Sequence, residues 1–246
     1  HADSGPHGAI FDLEAVVVPV GGGGLIAGMA VALKEQKPKL KLIGVETASY
    51  PTAKRSLEQD CIVPCGDAAS LADGIAVKQV GEIPFEVMRE YVDQMVTVDE
   101  EEIAAAILIL LEQEKTVAEG AGAVALAAAL EKKFWIKERR VAILVSGGNI
   151  DVNMLSKIIE HGLVKDGRRI RMAVAVPDKP GSLSRVSSII ASCGANILAV
   201  YHEHSFPEGP VGTTVVMFTL ETRGREHAES LIATLEKEGL HPEEQK

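Results

Sequence analysis

Residues 15–165 alternate between short apolar runs and longer segments in which apolar positions recur at helical spacing. The run AVVVPV (15–20) contains no polar residue, which is typical of a strand buried on both faces of a parallel sheet. Because strands and helices alternate, we predict an α/β fold with an open, mostly parallel sheet covered by helices. Further strands are predicted at 40–46, 95–98 and 141–146, and helices at 25–34, 51–59, 85–94, 103–114, 123–132 and 154–161.

The pattern changes at the polar turn KDGRR (165–169), so we predict two domains, 1–165 and 166–246. The second part has the order βαββα with room for one more strand, which matches a ferredoxin-like βαββαβ plan. Helices on one face of such a sheet would leave its edge or other face free to pair with another copy. The predicted elements are strands at 170–176, 196–205 and 213–221, helices at 182–193 and 225–238, and a turn at 207–212.

Two helix ends have recognisable signals. Asp99 followed by Glu102 predicts a capping box, so the acidic cluster 99–102 is interpreted as a helix start rather than a metal site. Gly162 is predicted to close the helix at 154–161.

Composition and charge narrow the classes of partner. The longest apolar runs, 103–111 and 123–130, are far shorter than the roughly 20 residues that cross a bilayer, so no membrane partner is expected. Asp and Glu outnumber Lys and Arg by 35 to 25, which disfavours nucleic acid. Cys61, Cys65 and Cys193 are too few for a disulfide scaffold and indicate a reducing compartment, the cytoplasm. The C-x3-C pair lacks two further ligands for zinc, so no metal site is expected.

Four consecutive glycines, Gly21, Gly22, Gly23 and Gly24, lie between the first predicted strand and the helix that begins at Leu25. Their free amides and the helix dipole could bind a phosphate group. No Lys-Ser or Lys-Thr follows, which disfavours a P-loop, and the sixth residue of a dinucleotide fingerprint would be Ile26 instead of glycine. A cofactor with another kind of phosphate fits better, and a tight structural turn is the alternative.

A second glycine turn, Ser146-Gly147-Gly148-Asn149, follows the strand at 141–146. Ligands of open parallel sheets lie beyond the carboxyl ends of the strands, where both glycine turns are expected. The Ser146 hydroxyl could contact a ligand there or could cap a helix.

Five motifs occur in order along the first part of the chain: PVGGGGLIAG (19–28), GVE (44–46), LADGIAV (71–77), VAEGAGAVALAA (117–128) and LVSGGNID (144–151). Together they resemble the C-terminal half of a threonine dehydratase, in the threonine/serine ammonia-lyase group of fold-type II pyridoxal phosphate enzymes. This resemblance implies pyridoxal 5′-phosphate as the cofactor. It implies that Gly21 to Gly24 and Leu25 hold the cofactor phosphate, that Ser146 faces the pyridine nitrogen, and that Gly74 lies beside the cofactor.

The implied reaction converts L-threonine to 2-oxobutanoate and ammonia, with a serine dehydratase or serine racemase as alternatives. Members of the family form a Schiff base through a lysine in an S-x-K-x-R-G motif, which this sequence does not contain. We therefore assign no catalytic residue, expect the sequence to start partway through the catalytic domain, and expect no turnover from this chain alone. Glu46 matches one acidic ligand of the family's cation site, but the second position is Thr52, so no cation is expected.

The tail resembles an ACT domain, an amino-acid-sensing module, in RMAVAVPDKPGSLSRV (171–186) and GANI (194–197). The resemblance implies homo-oligomers formed by ACT pairing, isoleucine or valine as effector, and a place in isoleucine biosynthesis. A plain turn with Ser182 as helix N-cap is one alternative for this loop, and a non-catalytic amino-acid-binding module is an alternative for the whole chain. The implied effector site comprises Asp178, Lys179, Pro180, Gly181, Ser182, Asn196 and Ile197.

Overall fold

A computed structural model describes residues 13–134, 140–202 and 211–245. The chain forms two compact units, the first ending at Ile158 and the second beginning at Ile159. This division falls inside the helix Val152–Lys165, and the predicted boundary after residue 165 falls at the end of the same helix.

The first unit contains a parallel sheet, as predicted. Its strands are β1 (Ala15–Pro19), β2 (Lys41–Thr47), β3 (Gln94–Val98) and β4 (Val141–Ile143), in the order β3-β2-β1-β4. Strand β4 ends three residues before its predicted end, because beyond Ile143 only the Leu144 amide still donates to a β1 carbonyl.

Helices cover both faces of this sheet. Val17 and Val45 pack into one buried cluster with the helices at 100–113 and 120–130, whereas Val16 and Val18 pack into another with the helices at 24–36 and 82–91. The uninterrupted apolar run of β1 is explained by this two-sided burial. Among the described helices, none is long and apolar enough to cross a membrane. The helices are α1 (Gly24–Gln36), α2 (Thr52–Gln59), α3 (Glu82–Tyr91), α4 (Glu100–Gln113), α5 (Gly120–Leu130) and α6 (Val152–Lys165).

The predicted capping box is confirmed, and the predicted stop at Gly162 is wrong. The Glu102 amide donates to Asp99 Oδ1 at 2.9 Å, and the Asp99 amide donates to Glu102 Oε2 at 2.8 Å. Helix α6 continues past Gly162 to Lys165. The residue that leaves helical geometry is Gly167, with φ of +68°, so the left-handed end expected at Gly162 comes five positions later.

The second unit has the element order βαββαβ. Its antiparallel sheet has the strand order 196–202, 213–221, 169–177 and 241–245, and the last strand along the chain is the additional one that the sequence pattern had allowed for. This arrangement matches the ferredoxin-like plan. The end of the strand predicted at 196–205 and most of the turn predicted at 207–212 lie outside the described residues. The elements are β5 (Arg169–Pro177), α7 (Ser182–Ser192), β6 (Asn196–His202), β7 (Thr213–Glu221), α8 (Arg225–Lys237) and β8 (His241–Gln245).

Candidate cofactor site

Two glycine-rich turns leave the sheet of the first unit at the same edge. Strands β1 and β4 are parallel neighbours, with Val17 opposite Ile143. The turns at residues 21–24, here called the glycine loop, and at 146–149, here called the Ser146 turn, therefore both follow carboxyl ends of adjacent strands. That edge is where open α/β sheets bind ligands.

The glycine loop presents unpaired backbone donors. The amides of residues 21–26 donate to no other described residue, and helix α1 begins at Gly24. No atom lies within 4 Å of a Cβ built on Gly22 or Gly24, so open space borders the backbone there. Gly23 turns the chain with φ of +87°, and a Cβ on it would lie 2.8 Å from Met88 Cε. A row of free amides at a helix N-terminus suits an anion such as a phosphate.

The segment at residues 71–77 packs against the glycine loop. A Cβ built on Gly21 would lie 3.0 Å from Ile75 Cα and 3.2 Å from Val77 Cγ2. Within the segment, a 3₁₀ turn at Asp73–Ile75 carries Gly74, whose own Cβ would lie 3.1 Å from Ala121 Cβ. The segment thus joins the glycine loop to the start of α5.

The start of α5 closes the site against the Ser146 turn. A Cβ built on Gly122 would lie only 1.6 Å from the Ser146 carbonyl oxygen, and one on Gly120 would lie 2.0 Å from the Leu71 carbonyl oxygen. The Glu119 amide also donates to the Gly147 carbonyl at 3.3 Å. Only glycine allows backbones to approach so closely. The cofactor residues predicted from the sequence thus come from segments that lie at one edge, while their role as cofactor ligands stays a prediction.

Two polar side chains at this edge have no hydrogen-bond partner among the described residues. The Ser146 hydroxyl is half-buried and makes no hydrogen bond, so helix capping does not explain it. Glu119 is the N-cap of α5, yet its carboxylate makes no capping bond. A Cβ on Gly147 would lie 2.0 Å from Glu119 Oε1, which puts this carboxylate directly against the Ser146 turn. A hydroxyl and a carboxylate are therefore available to a ligand.

Glu100 holds the 71–77 segment in place through hydrogen bonds. Its Oε1 accepts hydrogen bonds from Thr47 Oγ1 at 3.1 Å and Ser49 Oγ at 3.2 Å, and its Oε2 accepts one from the Leu71 amide at 2.6 Å. Sequence reasoning missed this role, because an acidic residue in the first turn of a helix is already explained by the helix dipole. The hydroxyl groups of Thr47 and Ser49 at the end of β2 were the feature of the sequence that could have indicated this role of Glu100.

Glu46 caps helix α2 and is not arranged as a cation ligand. Its carboxylate accepts hydrogen bonds from the Ala53 amide at 2.6 Å, the Lys54 amide at 2.9 Å and Thr52 Oγ1 at 3.1 Å. Burial raises the pKa of Glu46 from 4.5 to about 7, and these donors lower it only in part. Pro51 is the N-cap residue of α2, and its side chain has no hydrogen-bond acceptor. This feature of the sequence could have indicated that a more distant residue of the chain must cap the helix. Within the described ranges, no three His, Cys, Asp or Glu side chains group as metal ligands.

Two described lysines near the site in sequence are engaged elsewhere. Lys78, which directly follows the 71–77 segment, lies 2.7 Å from Asp67 Oδ1. Lys34, in helix α1, lies 2.9 Å from Asp93 Oδ2. Both ammonium groups are thus held in ion pairs with carboxylates.

The predicted effector residues form two separate groups in the second unit. Gly181, with φ of +93°, is the N-cap of α7, so the alternative that Ser182 caps this helix is wrong. Asp178 to Ser182 follow the end of β5, whereas Asn196 and Ile197 begin β6. Asn196 lies opposite Glu221, which pairs with Arg169 at the other end of β5. Eight residues of strand, roughly 26 Å, separate the two ends, so the two groups do not meet within one unit.

Comparisons with known proteins agree with the motifs. Residues 7–147 match the family described as pyridoxal-phosphate dependent enzyme. The L-threonine ammonia-lyase of Thermotoga maritima is 50% identical over 228 residues, which are 93% of this chain and 57% of that protein. That of Geobacter sulfurreducens is 45% identical with the same coverage. The processed form of threonine deaminase isoform 2 from Solanum lycopersicum superposes with a TM-score of 0.57 and 39% identity, covering 61% of this chain and 44% of that one.

The chain therefore spans 57% of the length of both ammonia-lyases. Because 228 matched residues are more than the first unit contains, both ammonia-lyases also match part of the second unit.

Proposed function

Because this chain belongs to the pyridoxal-phosphate dependent enzyme family, we propose that its first unit binds pyridoxal 5′-phosphate and serves in an L-threonine ammonia-lyase. The observation that carries the proposal is the glycine loop, whose unpaired amides border open space at the carboxyl edge of the sheet. A phosphate with two negative charges would replace water at these amides and would gain from the dipole of α1.

Each predicted residue has a part in holding the cofactor. The amides of the glycine loop and of Leu25 would bind the phosphate group. Gly74 would lie beside the cofactor, and Ser146 would offer its neutral hydroxyl to the ring nitrogen, as the family resemblance implies. Bound pyridoxal phosphate supplies an electron sink for charge that forms on the α-carbon of an amino acid. The protein contributes orientation and electrostatics, and we assign none of its described lysines to the covalent chemistry.

The proposed substrate is L-threonine, which would give 2-oxobutanoate and ammonia. Support comes from the two ammonia-lyases that are 50% and 45% identical to this chain. Serine is the second candidate, because a structure of maize serine racemase is also similar, with 30% identity and a TM-score of 0.56. The higher identity to the threonine enzymes favours threonine.

Cofactor binding is tested with two alanine variants, one in the glycine loop and one in helix α1. A Cβ has open space at both Gly22 and Gly28, so Gly22→Ala and Gly28→Ala should both fold. Only Gly22→Ala places a methyl group beside the free amides. In equilibrium dialysis with pyridoxal phosphate, we expect Gly22→Ala to weaken binding at least tenfold and Gly28→Ala to leave it unchanged. Equal affinity in both variants, or no binding by the parent chain, would contradict the assignment.

The reaction is tested in a chimera. This chain replaces the segment that it matches in the Thermotoga maritima L-threonine ammonia-lyase, and product formation is measured with L-threonine and with L-serine. We expect 2-oxobutanoate from L-threonine as the faster reaction. A folded chimera that binds pyridoxal phosphate but forms no 2-oxobutanoate would exclude the proposed activity, and faster conversion of L-serine would reassign the substrate.

For the second unit we propose an ACT domain that binds isoleucine or valine and forms homo-oligomers. The βαββαβ order supports this assignment. Asp178 to Ser182 and Asn196 lie at opposite ends of the sheet, so a second copy would be needed to bring them together. Isothermal titration with both amino acids, combined with the molar mass in solution, tests the proposal. No heat from either amino acid in a folded sample would exclude the effector, and a monomer at all concentrations would exclude the pairing.

We further propose that the protein acts in isoleucine biosynthesis in the cytoplasm. The support is the proposed product, 2-oxobutanoate, together with three cysteines that are free in the structure, as expected in a reducing compartment. Deletion of the gene should create a requirement for isoleucine, and growth without isoleucine would contradict this role.

A further inference from the structure

A cavity of about 510 Å³ lies in the second unit, near the start of β5 and the end of β8. This volume is within the range of small-molecule sites. Val164 gives it an apolar wall, and three arginines, Arg169, Arg171 and Arg225, also line it. The proposed cofactor and effector residues do not line it.

Three polar side chains form a row across the sheet beside this cavity. Arg171 on β5 lies opposite Thr219 on β7 and opposite Gln245 on β8, so all three lie on one face of the sheet. None of the three makes a side-chain hydrogen bond or ion pair among the described residues. Arg171 thus has its guanidinium donors available, with a hydroxyl on one side and an amide on the other.

The other two arginines of the cavity are already paired. Arg225 Nη1 lies 2.8 Å from both carboxylate oxygens of Glu244, and Arg169 is paired with Glu160. These two pairs cancel in charge, so Arg171 leaves a net charge of about one positive unit at the cavity. A net charge of about one positive unit matches a ligand with a single negative charge.

We propose that this cavity binds a small organic monocarboxylate. The guanidinium of Arg171 binds the carboxylate through two parallel hydrogen bonds, which is the geometry that arginine favours. Thr219 and Gln245 hold the carboxylate from either side, and the short apolar part of the ligand contacts Val164. Charge and shape together favour this class over inorganic phosphate.

The test uses the full chain, labelled with ¹⁵N, and butanoate as the probe. Butanamide has nearly the same shape without the charge and serves as the matched ligand. We expect butanoate to shift the amide signals of Arg171, Thr219 and Gln245 saturably, and butanamide to leave them unchanged. Arg171→Gln should weaken butanoate binding at least tenfold. Arg185→Gln removes the same charge from an exposed position on helix α7 in the same unit and should bind butanoate like the parent.

Several results would overturn the proposal. Equal shifts with butanoate and butanamide would show that charge plays no part. Unchanged affinity in Arg171→Gln, with a circular dichroism spectrum like that of the parent, would show that this arginine is not the anchor. Saturable shifts with inorganic phosphate but none with butanoate would reassign the cavity to another class of anion, and shifts confined to residues 178–182 would place the binding elsewhere.

Discussion

The two units of this protein use glycine for different purposes. In the first unit, Gly120 and Gly122 let one backbone touch another, since a Cβ on either would lie 2.0 Å or less from a carbonyl oxygen. In the second unit, Gly181 and Gly239 have no atom within 4 Å of a built Cβ, and both have positive φ angles. At these four positions glycine allows close contact in the first unit and turns the chain in the second. Gly23 and Gly147 of the first unit also have positive φ angles, so the close backbone contacts are what set Gly120 and Gly122 apart.

The strongest test of this contrast is the substitution of one glycine from each unit. In Gly122→Ala the new methyl group would overlap the Ser146 carbonyl, which should cost about 4 kcal/mol or more. In Gly239→Ala only the left-handed backbone is strained, which should cost about 1 kcal/mol. Hydrogen exchange should show that the β1 amides lose protection in Gly122→Ala. In Gly239→Ala the protection of the amides should stay close to that of the parent protein. Equal losses of stability in the two variants would contradict this contrast between the glycines of the two units.

The first unit should also respond to pH through Glu46. Its pKa is raised from 4.5 to about 7 in the folded protein, so the folded state holds this proton more tightly than the unfolded state does. The resulting stability is fully present below pH 4.5 and is lost as the pH rises through 7, by about 3 kcal/mol. Glu46→Gln should remove this loss in denaturant titrations from pH 5 to 8. Glu58→Gln, on exposed helix surface, should keep it, and an identical pH profile in both variants would contradict the assignment.

A smaller effect is expected at Glu100, which holds the 71–77 segment. In Glu100→Gln the bonds from Thr47, Ser49 and Leu71 lose their charged acceptor, which should cost about 2 kcal/mol. Because the same segment carries Gly74, pyridoxal phosphate should also bind more weakly. Glu101→Gln, at the neighbouring exposed position, is the control. Unchanged cofactor affinity in Glu100→Gln would show that this residue does not position the site.

The smallest effect concerns the capping box of α4. Asp99→Ala removes the acceptor for the Glu102 amide and should cost about 1 kcal/mol in thermal or denaturant unfolding. Asp99→Asn keeps a side-chain oxygen acceptor, so it should lose only a small part of this stability. The N-cap residues of α7 and α8 are Gly181 and Gly224, which make no side-chain capping bond. Neither helix could therefore lose stability through the removal of an N-cap side chain. Equal losses in the two Asp99 variants would contradict the capping role.

Local signals predicted most of the elements, and contacts between distant residues explain what they missed. The apolar run at Val16 to Val18 and the Asp99 capping box depend on neighbours in sequence, so both could be predicted. The partners of Glu46 lie six to eight positions away, beyond a turn. The contact between Gly122 and Ser146 depends on how α5 packs against the end of β4. No periodicity encodes such a contact, and the family resemblance was needed to group these motifs.

The central claim is that the glycine loop holds the cofactor phosphate. The most direct measurement is the ¹⁵N spectrum of the chain titrated with pyridoxine 5′-phosphate, which keeps the ring and the phosphate but lacks the aldehyde that reacts with surface lysines. We expect saturable shifts in the amides of residues 21–26 and none with unphosphorylated pyridoxine. Absent shifts in this loop, or equal shifts with both compounds, would contradict the claim.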